Sequence, residues 1–124
     1  MPHPKFHELP VWQAARKLQR AISACTSTET FRTDWKLRDQ IRDAAASVMA
    51  NIAEGFARRY DREFTQFLFV AKGSAAETQS HLFVALDRGH VDDGTFRETF
   101  ELADNVAKQI SGLISYLTGR KKHR

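Results

Sequence analysis

The 124 residues predict an all-α protein, an antiparallel up-down four-helix bundle. Three observations carry that expectation. Apolar residues recur at steps of three and four in four successive stretches, no stretch sustains the alternation of a strand, and the connectors are short.

The first stretch, about 10–27, opens at Pro10 and places Val11, Ala15, Leu18, Ile22 and Cys25 on one face. Proline suits a first helical turn because its missing N–H has no intrahelical partner to lose there. The second, about 34–58, begins at Asp34, a residue suited to N-capping, and repeats Leu37, Ile41, Ala45, Val48 and Ile52. The third, about 61–88, has Asp61 as its expected N-cap and carries Phe64, Phe67, Leu68, Ala71, Ala75, Thr78, Leu82 and Leu86. After the loop 89–94, the fourth, about 94–118, shows Phe96, Phe100, Ala103, Ala107, Ile110, Ile114 and Leu117. Residues 1–124 form one domain that ends in a basic tail, 120–124. A chain of this length can bury roughly two-thirds of its surface without disulfide or metal.

Composition narrows the class. Apolar residues make up 42% of the chain, which excludes disorder as the general state. A single cysteine, Cys25, allows no internal disulfide, and its place on an apolar face reads as an inert thiol. No apolar run reaches the roughly 20 residues of a membrane span, and MPHPKFHELP lacks the apolar core of a signal peptide, so a soluble, cytoplasmic protein with no membrane partner is expected. The net charge of +4 sits in the tail: the last five residues hold four of the 19 cations, and the other 15 match the 15 acids.

The two central helices carry apolar surface on more than one side. At about 100° per residue, Ile41, Ala45, Val48, Met49, Ile52 and Phe56 turn to one core, while Ala46, Ala50, Ala53 and Ala57 turn away from it. The third helix places Phe69, Gly73, Ala76, Ser80, Phe83 and Val84 behind its own core arc. Alanine as a plain helix former accounts for the first row but not for the phenylalanines of the second. A second copy of the chain is the expected cover, with Ala50, Ala53, Phe69, Gly73, Ala76 and Phe83 as subunit contacts.

Gln40, Ser47, Asn51, Glu54 and Arg58 share one flank of the second helix. They read as a network that fixes helix register, with Glu54 and Arg58 an i,i+4 pair, or else as a ligand groove. A hairpin around residue 60 brings Arg42 and Glu77 to the same height, so the two are expected to approach. Catalysis finds little support. Glu77 and His81 are four apart without a second such pair, His90 lies in a loop and His3 and His7 near the start, so no metal, cofactor or catalytic residue is expected. No Gly-rich phosphate loop or Ser/His/Asp set can be read. Phosphate contacts are a different matter. Arg16, Lys17 and Arg20 on the first helix, Arg58, Arg59 and Arg62 at the second turn, and Arg120, Lys121 and Lys122 in the tail are candidates, which oligomerisation would multiply. The acids Asp92, Asp93, Glu98, Glu101 and Asp104 gather elsewhere.

Leu9-Pro10-Val11-Trp12-Gln13-Ala14-Ala15, Gln40-Ile41-Arg42, Ser47-Val48 and the block Asn51-Ile52-Ala53-Glu54-Gly55-Phe56-Ala57-Arg58 are similar to a known family. Glu63-Phe64, Phe67-Leu68, Ala71-Lys72-Gly73-Ser74 and Glu77 extend the match, which spans about residues 6 to 91. The family comprises the four-helix bundle proteins encoded in intervening sequences of bacterial 23S ribosomal RNA genes. More distantly the chain resembles the accessory variability determinant of diversity-generating retroelements. The resemblance implies Gln40, Arg42, Ser47, Asn51, Glu54, Gly55, Ser74 and Glu77 as motif residues of the fold. It also implies a homopentamer and an association with RNA or with a nucleic-acid-bound protein. The rival expectation is a protein–protein adaptor without nucleic-acid affinity.

Overall fold

The computed structural model describes residues 4–122 and the side chains of residues 4–119; His3 and the side chains of Arg120, Lys121 and Lys122 lie outside the described residues. A 3-10 turn, Phe6–Glu8, leads into α1 (Pro10–Cys25), α2 (Glu29–Thr33), α3 (Trp35–Phe56), α4 (Asp61–Asp87) and α5 (Asp93–Lys122). No strand occurs among the described residues. The four long helices pack in the cyclic order α1–α3–α4–α5, and among the described residues no backbones approach closely across either diagonal. This is the antiparallel four-helix bundle that the spacing predicts. Helix α5 runs through Lys122, so the first three residues of the basic tail continue it.

The core follows most of the predicted faces, but Val106 and Ala85 are buried where the spacing predicts Ala107 and Leu86, the latter two being half-buried. Leu18, Ile22, Ile41, Val48, Ile52, Leu68, Leu82, Val106 and Ile110 are fully buried in one cluster. Small residues let the helices close on one another. Gly55, buried near the end of α3, lies against the first turns of α4, where a Cβ would stand 2.6 Å from Phe67 Cβ. A side chain there would overlap the neighbouring helix, so the close α3–α4 hairpin requires glycine at this point.

A second, smaller cluster of Phe31, Leu37, Ala85 and Val91 closes the opposite end. Phe31 comes from α2, a five-residue helix too short to leave a periodic signature in the sequence. It is fully buried, with its ring 4.6 Å from that of His90. The α4–α5 connection that carries His90 is shaped by Gly89, whose φ of 78° lies in the left-handed region. The amides of Gly89 and His90 donate back to the carbonyls of Leu86 and Ala85 at 3.0 and 2.9 Å. That pair of bonds is a Schellman cap, which glycine favours because other residues pay a steric cost there.

Two caps differ from expectation. Asp34 holds the N-cap position of α3 but makes no capping bond; its carboxylate accepts instead from His90 Nε2 at 2.8 Å and Arg88 Nη1 at 2.9 Å. It thereby ties the start of α3 to the α4–α5 loop. At α4 the cap position falls to Tyr60, and Asp61 opens the first turn, where a negative charge favours the positive end of the helix dipole. Asp92, read only as part of an acidic group, caps α5 by accepting from the Thr95 amide at 2.7 Å.

Candidate functional site: surfaces of the bundle

The polar flank of α3 is a seam against α4. Ser47 Oγ and Ser74 Oγ lie 3.0 Å apart across it, and Asn51 Nδ2 donates to the Ser47 carbonyl and hydroxyl at 2.8 and 3.0 Å. Glu54 accepts from Arg58 at 2.9 Å, and the Arg58 guanidinium lies over the Phe67 ring at 4.8 Å. These bonds fasten register, while Gln40 at the far end of the stripe is exposed. The expected approach of Arg42 to Glu77 is replaced by other partners. Arg42 donates to the hydroxyls of Thr26 and Ser27 at 2.8 and 3.2 Å, because the α3 face that carries it is turned to α1. Glu77 meets His81 on its own helix at 3.3 Å. A tie that the sequence does not advertise joins α4 to α5: Gln79 donates to the Phe100 carbonyl and to Asp104.

The apolar surface expected outside the core is present, but it forms two strips. Ala50 and Ala57 are exposed and Ala53 half-buried; with Glu54, Arg58 and Phe6 of the N-terminal turn they line a shallow groove on the α1/α3 side. Phe69 and Phe83 are 57% and 49% exposed, and Gly73 and Ala76 are exposed beside them. This second strip borders α5, since Phe83 packs on Phe96 and Phe100 at 4.9 and 5.7 Å. In the cyclic order of helices, the α1/α3 and α4/α5 sides are opposite flanks. The polar seam separates them.

The cations divide into paired and unpaired sets. Arg32, Arg38, Arg58 and Arg88 each meet a carboxylate. Among the described residues no ion pair involves Arg16, Lys17, Arg20, Arg59 or Arg62. Helix α1 contains no acid at all, and Arg16, Lys17 and Arg20 line one groove with His7, Trp12 and Gln13. Arg58 and Arg59 stand at the other side of the same end, Arg59 over the Tyr60 ring at 5.5 Å.

Cys25 is half-buried and its thiol is pushed up to about 11, chiefly by desolvation, so it is a poor nucleophile. No group of three His, Cys, Asp or Glu side chains gathers among the described residues, and none of the described helices is long and apolar enough to cross a membrane.

Fold and surface together define a helical-bundle protein whose distinctive features are on its outside. The pattern of the 23S rRNA-intervening sequence protein family matches residues 7–112, and the chain belongs to that family. No curated protein matches it.

Proposed function

We propose that the chain is a non-enzymatic, cytoplasmic scaffold that assembles with copies of itself and associates with RNA or an RNA–protein particle. The observation that carries this reading is the pair of apolar strips on opposite flanks. Burying apolar surface contributes about 25 cal/mol per Å² before association costs are subtracted. A strip containing Phe69 and Phe83 at about half exposure is a large share of surface to leave in water. Unlike patches on opposite sides meet head to tail, and that mode of contact closes into a ring or continues as a filament. A ring of five is the number implied by the more distant resemblance to the accessory variability determinant.

The RNA association rests on the acid-free face of α1. Three cations without carboxylate partners attract phosphate, and a ring repeats them in each copy. The test is filter binding of a structured RNA over a salt series, read together with native mass. Affinity that falls steeply as salt rises, with a shallower slope in an R16E/K17E/R20E variant, supports phosphate contacts. Absence of binding near about 50 mM salt refutes the RNA association and leaves the adaptor reading.

A further inference from the structure

At the end of the bundle formed by the α3–α4 turn, a cavity of about 690 Å³ lies between Phe56, Phe64, Leu113 and Leu117. That volume is within the range of roughly 300–1,000 Å³ typical of small-ligand pockets. Phe56 and Phe64 meet edge to face at 5.8 Å and, with the two leucines, make the floor apolar. The mouth has a different character. Tyr60 and Tyr116 stand there, each 60% exposed, with Arg58 and Arg59 beside them. Arg58 is committed to Glu54, but Arg59 meets no carboxylate among the described residues and lies over the Tyr60 ring. Asp61, which also lines the mouth, and Glu63 occupy the first turn of α4 and offset the positive end of its dipole, so the attraction for an anion comes from the arginines. In sequence the basic tail starts four residues after Tyr116.

We propose that this pocket receives an unstacked base of single-stranded RNA, with Tyr60 and Tyr116 as stacking surfaces and Arg59 against the adjoining phosphate. The proposal rests on the RNA association above and adds the form of nucleic acid recognised. Aromatic rings beside cations suit a ligand that is at once planar, apolar in its faces and anionic, and a nucleotide is such a ligand. A base held in a duplex cannot enter such a pocket unless it leaves the stack. The cavity lies at the end of the bundle and shares Arg58 with the α1/α3 groove, while Arg59, Tyr60 and Tyr116 lie outside both apolar strips.

The experiment compares a fluorescein-labelled ten-nucleotide RNA, single-stranded and annealed to its complement, on the full chain and on Y60A/Y116A and R59E variants. Melting curves of each variant report folding, and the exposure of all three side chains makes loss of the fold unexpected. The expected result is preference for the single strand of about tenfold or more. Y60A/Y116A then loses that preference while duplex affinity stays the same, and R59E weakens the single strand further at low salt. Equal affinity for both forms, unchanged in Y60A/Y116A, overturns the pocket proposal and leaves the RNA association standing. No binding of either form at about 50 mM salt overturns both.

Discussion

Phe67 Cβ stands 2.6 Å from the place that a Cβ on Gly55 would occupy, and Phe64 Cδ1 is 3.0 Å from the same place. The nearer atom is the root of its side chain and cannot swing aside, so relief requires α3 and α4 to move apart. A Gly55→Ala substitution gains about 1 kcal/mol in helix propensity but loses more to overpacking, which typically costs about 1–3 kcal/mol. Urea denaturation of the variant is expected to show a net loss of stability of up to about 2 kcal/mol. A stabilised variant would mean that the hairpin is looser than described.

Gly73 offers the opposite case. A Cβ there meets nothing within 4 Å, so within one copy of the chain Gly73→Ala gains stability by up to about 1 kcal/mol. The assembly reading makes a second demand on the same position. Gly73→Glu is expected to keep the helix content by circular dichroism and to lower the native mass. An unchanged mass would remove Gly73 from the subunit contact.

At Gly89 the backbone, and not packing space, sets the requirement. With φ at 78°, any L side chain is strained, and Gly89→Ala is expected to cost about 1–2 kcal/mol. Thermal melting measures it. Gly89→Asn is expected to lose less, since asparagine tolerates the left-handed region.

Asp34 gives the fold an acid-sensitive latch. Its carboxyl is held below the ordinary value of 3.8, first by the His90 hydrogen bond and then by that of Arg88. A carboxyl with a lowered folded pKa contributes stability that is fully present above the unfolded value and lost as pH falls through the folded one. Stability measured from pH 6 downward is therefore expected to fall below about pH 4, and more gently in Asp34→Asn. Identical acid limbs for the two proteins would show that the latch adds nothing.

The four long helices were legible because each repeats apolar residues at helical spacing over many turns. Helix α2 was not, since five residues give no period, and Phe31 reads as an isolated aromatic until its burial against His90 is seen. The excess apolar surface on α3 and α4 was also legible. Its division into two flanks was not, because a helical wheel fixes directions on one helix but not which neighbour stands on either side. The Arg42 partnership failed for the same reason: equal height in a hairpin does not mean a shared face. The pocket between Tyr60 and Tyr116 joins residues 56 apart and has no local sequence signal. Arg16, Lys17 and Arg20 are legible as cations on one side of α1, but their lack of carboxylate partners among the described residues emerges only from the fold.

The central claim is that two unlike apolar flanks of one bundle cover each other in an assembly. Native mass spectrometry at about ten micromolar protein tests it most directly, on the unaltered chain and on A53E and F69E variants, one for each flank. The account predicts a defined multiple of 14.2 kDa for the unaltered chain, and either substitution alone lowers the mass while preserving helix content. A single 14.2 kDa species for the unaltered chain would contradict it.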